Sequence, residues 1–245
     1  MTSLDLNCDL GEGGAHDAEL MPLISSANIA CGAHAGDAQT MQAAVALAQR
    51  HGVAIGAHPG FADREYFGRR ELELPPSGIE RLVGEQVNAL RALAPLRHVK
   101  PHGGLYNRAA CDRACAEAVA RAVRAVDPAL VLYALAGSEL VRAGRAAGLR
   151  VAEEVFADRT YRADGSLTPR SEPGALIESE DAMVVQVLQV VREGIVRSID
   201  GVDVKIVADT VCLHGDGSQV VAFARRLRTA LESAGIEIAA MAAAR

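Results

Sequence analysis

Four histidines of this chain stand in closely similar surroundings. Each comes at the end of a short apolar segment and is followed within two residues by a glycine: His34, His58, His102 and His214. The imidazole ring exchanges protons near neutral pH and is a common metal ligand. One such histidine is ordinary, but four at matching positions predict a shared site with room around the rings.

The first apolar segment, Leu4–Leu10, carries acidic groups in a related pattern. Asp5, Asn7 and Asp9 alternate there with apolar residues, and Glu12 follows in a glycine-rich turn. Because the side chains of a strand alternate between its two faces, the three polar groups would share one face. We interpret Asp9 as a candidate for acid–base chemistry or metal binding. The alternative is that these groups only satisfy backbone amides of a turn.

Lys100 is one of only two lysines among the 25 basic residues of the chain. It lies between His98 and His102, at the spacing that places all three on one strand face. A buried lysine must find a partner or lose its proton, because burial disfavours the charged form. We therefore predict a salt bridge from Lys100 to Asp9 or Glu12, in a site that meets a carboxylate or phosphoryl group. A solvated lysine is the alternative.

A repeat of short apolar strand, polar loop and alanine-rich helix positions these residues. The predicted strands are Leu4–Leu10, Ala27–Gly32, Val53–His58, His98–His102, Leu130–Gly137, Arg150–Ala157 and Ile206–His214. The predicted helices are Thr40–Arg50, Ser77–Leu93, Ala114–Val126, Ser138–Ala147, Glu180–Arg192 and Gln219–Ala234. This α/β alternation favours a parallel sheet. One face of the strands becomes polar toward their C-terminal ends, so we predict an irregular seven-stranded (β/α) barrel, with an open sheet as the alternative.

Two segments depart from this repeat. Residues 195–206 carry Asp200-Gly201 between alternating apolar residues, which predicts a β-hairpin. Residues 160–179 are polar and contain two prolines and two glycines. So long a loop is typical of a functional segment, and we predict a lid. We find no repeat or linker that divides the sequence, so we expect residues 1–245 to form one barrel domain.

Composition narrows the class of protein. The formal net charge of −6 argues against nucleic acid or an anionic membrane as partner. The five cysteines form no Cys-x-x-Cys pair, which is typical of a reduced protein. With no leader-like segment and no long apolar run, we expect a cytoplasmic location. The sequence lacks both G-x-x-x-x-G-K-[ST] and G-x-G-x-x-G, so a nucleotide, if one is used, would be held by other means or by a partner.

Eight motifs run in order from Leu6 to about Gly235. They are LNCDLGE, SANIACGAHAGD, GVAIGAHPGF, FGRR, HVKPHGGLYN, AGSEL, EVFADRTY and ADTVCLHGD. Together they resemble the LamB/YcsF family, the A subunits of 5-oxoprolinases. The resemblance implies a (β/α) barrel of the glycoside hydrolase/deacetylase type. It also implies ATP-dependent opening of 5-oxoproline to glutamate, with partner subunits B and C. We expect ATP and Mg²⁺ to be bound largely by those partners, and no tightly bound cofactor in this chain.

The chain offers polar groups suited to that reaction. The catalytic candidates are Asp9, His58, Lys100 and His102. The candidates for substrate binding are Asn7, Glu12, Asn28, His34, Arg69, Tyr106 and His214. Asp9, or a neutral His58 or His102, would act as base for water, and Lys100 and Arg69 would meet developing negative charge. We expect one cavity at the C-terminal strand ends, lined by Asn7, Asp9, His34, His58, Lys100, His102 and His214.

Two other functions stay open on the sequence. A stand-alone metal-dependent amide hydrolase or deacetylase would bind its metal through Asp9 and two of the histidines. A non-catalytic binding subunit would use the same residues only to complete a complex. Dependence on ATP separates the first from a 5-oxoprolinase. Loss of turnover on a single substitution that leaves assembly intact excludes the second.

Overall fold

A closed parallel sheet forms the centre of the computed structural model, which describes residues 2–214 and 219–241. The strands are β1 (Thr2–Leu10), β2 (Ser26–Ala30), β3 (Ala54–His58), β4 (His98–Val99), β5 (Val131–Leu135), β6 (Arg150–Phe156), β7 (Ile195–Arg197), β8 (Asp203–Lys205), β9 (Thr210–Leu213) and β10 (Ile236–Ile238). Strands β1 to β6 and β9 are parallel, and β1 pairs with both β2 and β9. The predicted seven-stranded barrel is therefore confirmed, and the open sheet is wrong.

Helices connect the strands and cover the outer, apolar face of the barrel. They are α1 (Asp17–Leu20), α2 (Ala38–His51), α3 (Pro76–Arg91), α4 (Gly103–Cys111), α5 (Arg113–Val126), α6 (Glu139–Ala146), α7 (Glu180–Glu193) and α8 (Val220–Ser233). Single 3₁₀ turns occupy Met21–Leu23 and Arg64–Tyr66. Within the described ranges, no helix combines the length and apolar character needed to cross a membrane.

Local capping fixes where α2 begins, directly after the loop that carries His34. The Asp37 side chain accepts a hydrogen bond from the backbone N–H of Thr40, and the Thr40 hydroxyl accepts one from the backbone N–H of Asp37. This reciprocal arrangement satisfies amides that the first helical turn leaves unpaired. Gly52 ends the same helix in the left-handed conformation, at φ 68°.

The interior of the barrel is also polar toward the N-terminal ends of its strands. Asp5, near the N-terminal end of β1, accepts hydrogen bonds from the Ser26 and Thr210 hydroxyls. One layer above, His98 donates from Nε2 to Asn28 Oδ1 at 2.7 Å. Burial, with Lys100 nearby, lowers the pKa of His98 to about 3, so the ring is neutral.

Glycine makes room for the buried imidazole of this lower layer. A Cβ atom on Gly56 would lie 2.1 Å from His98 Nε2. Gly56 therefore faces inward, as the alternation of Ala54, Gly56 and His58 along β3 requires.

Several boundaries differ from the sequence prediction. β4 ends at Val99, because Pro101 lacks the N–H that would extend the parallel ladder. Helix α4 was not predicted, since it opens on Gly103-Gly104, which have low helix propensity. β2 ends at Ala30, and Gly32 takes φ +86°, so the strand does not stay extended to His34.

The two irregular segments take different forms. β7 and β8 pair antiparallel around Asp200-Gly201, which confirms the predicted hairpin. Residues 160–179 form a long loop tied down by isolated bridges from Arg159 to Leu176 and from Tyr161 to Leu167. Part of this loop lines the cavity described below, namely residues 164–167 and 169–171. That it acts as a lid stays a prediction.

Candidate active site

A cavity of about 920 Å³ opens at the C-terminal ends of the barrel strands. The sequence-predicted site residues that line it are Asp9, Glu12, His58, Arg69, Lys100, His102, Tyr106 and His214. Asn7, Asn28 and His34 instead lie beneath the lining, each at most 1% exposed. The expected cavity wall is therefore wrong for Asn7 and His34, which contact the lining residues from behind. Gly215 and Asp216, which follow His214, lie outside the described residues.

One polar assembly surrounds the buried lysine, and we name Asn7, Asp9, Lys100, Glu154 and Cys212 the lysine network. Lys100 Nζ lies 2.8 Å from Asp9 Oδ1, 3.0 Å from Glu154 Oε1, 2.9 Å from Cys212 Sγ and 3.2 Å from Asn7 Oδ1. An ammonium group has three protons, and hydrogen bonds to Asp9, Cys212 and Asn7 occupy all three, while Glu154 forms an ion pair with it. The predicted salt bridge to Asp9 is confirmed, and Glu154, rather than Glu12, is the second acid.

Mutual attraction keeps the central groups of the lysine network charged. Burial alone would raise the pKa of Asp9, but His58 and Lys100 hold it well below its usual range. Burial alone would lower the pKa of Lys100, but Asp9, Cys212 and Glu154 hold it well above its usual range. Both groups are therefore ionised at neutral pH. Burial raises the pKa of the Cys212 thiol well above its ordinary value.

Amide and phenol groups orient the acids of this network. Asn28 Nδ2 donates to both Asn7 Oδ1 and Asp9 Oδ1 at 2.7 Å. Asn7 Nδ2 donates to Glu154 Oε1 at 2.9 Å, and the Tyr106 hydroxyl donates to Glu154 Oε2 at 2.7 Å. Asn7 and Asn28 thus hold the carboxylates in place from below the cavity.

Three histidines and one acid form a second assembly beside the first, and we name Glu12, His34, His58 and His102 the imidazole cluster. The rings of His34 and His102 stack in parallel with centroids 3.8 Å apart, and His58 meets both edge-on. Glu12 Oε1 lies 3.0 Å from His34 Nε2 and 3.3 Å from His102 Nδ1. One carboxylate oxygen therefore faces several ring nitrogens at once.

Backbone carbonyls determine which ring nitrogens carry protons. His58 Nδ1 lies 2.7 Å from the carbonyl oxygen of Lys100, and His102 Nε2 lies 2.7 Å from that of Phe67. A carbonyl oxygen can only accept, so both nitrogens donate. The opposite nitrogens, His58 Nε2 and His102 Nδ1, are 3.1 Å apart and face Glu12.

Burial keeps two rings of the imidazole cluster neutral. Burial and the neighbouring His58 lower the pKa of His34 to about 3. Burial, His58 and His34 lower the pKa of His102 to about 3. Burial would also lower the pKa of His58, but Asp9 outweighs it and raises that pKa above its ordinary value. Burial raises the pKa of Glu12, although His58 opposes the shift.

Arginines occupy the far side of the cavity. Arg159 is buried, and its Nη2 donates to the Thr168 carbonyl at 2.6 Å, while its Nε finds no partner within the described residues. Burial and the neighbouring Arg170 lower the pKa of Arg159. Both arginines line the cavity. Arg69 also lines it, but lies over the Phe67 ring beside the imidazole cluster. This wall is suited to an anionic group of a ligand.

His214 holds a position near those arginines. Its Nδ1 lies 2.8 Å from Asp158 Oδ2, and its ring stacks on Phe156 with centroids 5.3 Å apart. Burial would raise the pKa of Asp158, but His214 holds it below its usual value. His214 is thus paired with an acid that the sequence analysis did not single out.

Sequence reasoning missed Glu154, Asp158 and Arg159. Glu154 shares strand parity with Ala152 and Phe156, which is the signal for an inward position, but the adjacent Glu153 obscures the alternation. Asp158 and Arg159 come two and three residues after the end of β6, at the C-terminal strand end where barrel sites form. That position was the signal available for both.

Two groups of described side chains bring metal-ligating atoms within 4.8 Å of one another. They are Glu12 with His34, His58 and His102, and Asp9 with Cys212 and His214. In the second group, Asp9 and Cys212 already contact the Lys100 ammonium. A resident positive charge therefore opposes a cation there, and the imidazole cluster is the better metal site.

The chain folds as a closed (β/α) barrel of the glycoside hydrolase/deacetylase-like type. A family 4 carbohydrate esterase from Streptomyces lividans in complex with acetate shares this fold, at TM-score 0.52 and 12% identity, over 98% of this chain and 93% of that one. T48 deacetylase with substrate does so at TM-score 0.50 and 14% identity, over 97% and 87%. These similarities concern the fold alone.

The chain belongs to the LamB/YcsF family, whose model matches residues 4–245. It is also similar to a lactam utilization protein from Thermus thermophilus. The two share 45% identity at TM-score 0.92, over 98% of this chain and 100% of that one. The family expected from the eight sequence motifs is therefore confirmed.

Proposed function

We propose that this chain is the A subunit of a cytoplasmic, ATP-dependent 5-oxoprolinase that works with partner subunits B and C. The reaction opens the lactam ring of 5-oxoproline to glutamate. Family membership and the similarity to a lactam utilization protein support this substrate class. The observation that carries the proposal is the ionised Asp9, held 2.8 Å from a charged, buried Lys100 in the cavity lining.

The chemical difficulty lies in the amide bond, because resonance protects the carbonyl and the ring nitrogen leaves poorly. Transfer of the γ-phosphoryl group of ATP to the lactam oxygen releases ADP and makes the carbonyl carbon open to attack. Water then adds to that carbon, the C–N bond breaks, and the ring nitrogen takes a proton. A second water releases phosphate from the resulting acyl phosphate, so the products are glutamate, ADP and inorganic phosphate.

Asp9 is placed to accept a proton from the attacking water, although His58 and Lys100 lower its pKa and thus its basicity. Its Oδ1 is tied to Asn28 and Lys100, and its Oδ2 lies 3.3 Å from His58 Nε2. Both oxygens are thus oriented before substrate arrives, and the residue lines the cavity. A preorganised carboxylate needs no rearrangement when the proton of water is transferred.

Lys100 acts through the acids rather than on the substrate. Its three protons are taken by Asp9, Asn7 and Cys212, and Glu154 forms an ion pair with it, which differs from the expectation that it meets a carboxylate or phosphoryl group directly. Its role in the proposal is to keep Asp9 ionised and to hold Glu154 in place inside the barrel. Lys100 is therefore a positioning residue.

The arginine wall is the proposed binding place for the anionic groups of the reaction. Arg159 and Arg170 lie close enough for one to lower the pKa of the other, and an anion between them would relieve that repulsion. The Nε of Arg159 offers a donor not otherwise used within the described residues. The carboxylate of 5-oxoproline or the transferred phosphoryl group would fit this wall.

Reconstitution tests the proposal. The purified chain is assayed for glutamate formation from 5-oxoproline, alone and with subunits B and C, each with and without ATP. We expect turnover only in the complete mixture with ATP, because the sequence has no phosphate-binding loop of its own. ATP-coupled turnover by the isolated chain would contradict its assignment as one component of three. Ring opening without ATP would favour the metal-dependent hydrolase.

A further inference from the structure

The imidazole cluster has the geometry of a metal site, which the proposed reaction does not use. We propose that Glu12, His34, His58 and His102 bind one divalent transition-metal cation of the zinc class. The ligand atoms are Glu12 Oε1, His34 Nε2, His58 Nε2 and His102 Nδ1. All four lie within 4.8 Å of one another.

The distances between these atoms match those of tetrahedral coordination. Zinc bonds of about 2.0–2.1 Å to nitrogen and oxygen give a tetrahedron with edges of about 3.3 Å. Glu12 Oε1 lies 3.0 Å from the ring nitrogen of His34, 3.8 Å from that of His58 and 3.3 Å from that of His102. The nitrogens of His58 and His102 are 3.1 Å apart. Four edges of the tetrahedron are therefore already formed to within about 0.5 Å.

Two ligands have the supporting contacts that metal-binding histidines use. His58 donates from Nδ1 to the Lys100 carbonyl, and His102 donates from Nε2 to the Phe67 carbonyl, both at 2.7 Å. Such bonds fix the tautomer and point the lone pair of the other nitrogen at the metal. Here the other ring nitrogens face the same carboxylate oxygen, Glu12 Oε1, at 3.8 Å from His58 Nε2 and 3.3 Å from His102 Nδ1.

The surrounding backbone holds the rings in this arrangement. A Cβ atom on Gly60 would lie 2.8 Å from His34 Nδ1, and one on Gly68 would lie 2.6 Å from His34 Cβ. Glycine at both positions lets two loops close over the stacked rings. His34 and His58 are each 1% exposed and His102 is 6% exposed, so little reorganisation is needed for binding.

The donor set selects the kind of cation. Three imidazoles and one carboxylate favour zinc, cobalt, nickel or ferrous iron, whereas magnesium prefers oxygen ligands and retained water. Glu12, His58 and His102 also line the cavity. The cation would thus sit in the cavity wall beside Asp9, where it could polarise a carbonyl or phosphoryl oxygen of a ligand.

Metal titration of the untagged, full-length chain tests the site. After removal of metals with EDTA, Zn²⁺ is titrated by calorimetry, and bound metal is counted by mass spectrometry. We expect one equivalent per chain. His34→Gln and His102→Gln should each weaken binding more than about 100-fold, since loss of a ligand exceeds the effect of losing its support. His51→Gln, at an exposed position of α2, is the matched control and should bind like the parent.

Two further readouts separate binding from damage to the fold. Zn²⁺ should raise the melting temperature of the parent but not of His34→Gln, because a ligand stabilises only a state that binds it. Co²⁺ should give the intense visible absorption of tetrahedral coordination. Glu12→Gln, at a partly exposed position, supplies a ligand variant that spares the buried rings. Absence of stoichiometric metal, or equal affinity in the parent and ligand variants, would overturn the site. Either result would leave the proposed ATP-dependent ring opening unaffected, since none of its steps requires the cation.

Discussion

The lysine network and the imidazole cluster lie side by side at the barrel mouth, yet they balance charge differently. They meet where Asp9 Oδ2 lies 3.3 Å from His58 Nε2. The lysine network contains its own cation, Lys100, which forms ion pairs with Asp9 and Glu154. The imidazole cluster instead sets one carboxylate, Glu12, among histidine rings. The main difference is therefore the buried lysine. The lysine network already contains a cation, whereas the imidazole cluster can still accept one.

Removal of that lysine should produce the largest effect. Lys100→Met leaves Asp9 and Glu154 buried without their cation, so we expect a loss of about 3–5 kcal/mol in the free energy of unfolding. The double variant Lys100→Met with Glu154→Gln should recover part of this loss, because it removes one of the two stranded charges. Urea denaturation of the three proteins measures both changes. A loss below about 1 kcal/mol in the single variant would mean that the network is not the support described here.

Replacing Asp9, which contacts both assemblies, by a neutral amide should mainly lower the catalytic rate. Asp9→Asn keeps the shape of the side chain but removes the proposed base, so kcat of the complex with subunits B and C should fall about 10²–10⁴-fold. Asp200→Asn, in the exposed hairpin turn, is the matched control and should keep normal kcat. Near-normal kcat in Asp9→Asn, with assembly verified, would mean that a residue other than Asp9 is the base.

Lowering the pH should reduce stability through the buried imidazole of His98 but not through the buried ammonium of Lys100. Lys100 stays charged across this range, whereas His98 has a folded pKa of about 3 against an ordinary value of about 6.5. Between those values the unfolded chain binds a proton that the folded chain excludes. Stability should therefore fall as the pH drops through this window, by about 1.4 kcal/mol per unit for each such group.

His98→Gln isolates that contribution, because glutamine can donate to Asn28 but does not titrate. Urea denaturation at about pH 6 and about pH 5 should show a smaller pH-dependent loss in the variant than in the parent. The same slope in both proteins would mean that His98 is protonated in the folded state.

The smallest effect is expected at Arg170, in the arginine wall of the cavity. Arg170 is exposed in the cavity lining, so Arg170→Gln should raise KM for 5-oxoproline less than about tenfold, with kcat little changed. Arg162→Gln, in the same loop but paired with Glu172, is the matched control. Equal KM values in the two variants would mean that Arg170 does not contribute to binding of 5-oxoproline.

Much of the fold and part of the site follow from strand alternation. The parity of Asp5, Asn7 and Asp9, and that of His98 and Lys100, predicted correctly which side chains enter the barrel. The rule works there because β1 and β4 are regular strands up to or near those residues. It could not show that Asn7 lies beneath the cavity surface, since depth along the barrel depends on the stagger of neighbouring strands.

The remaining contacts depend on chain geometry that no local pattern records. His34 joins the imidazole cluster although β2 ends at Ala30, because Gly32 and Gly36 turn the loop back over the barrel. Glu154 reaches Lys100 across the barrel from β6, 54 residues away in sequence. Such side-chain contacts form only when the strands close into a barrel, so local sequence patterns cannot predict them.

Counting ADP and glutamate together in the reconstituted complex is the decisive measurement. With 5-oxoproline and ATP, we predict one ADP for each glutamate in the complex that contains this chain. We also predict that both products are lost when the chain carries Asp9→Asn. Glutamate formed without ADP, or equal product formation by the Asp9→Asn complex, would contradict the assignment of ATP-coupled ring opening to this cavity.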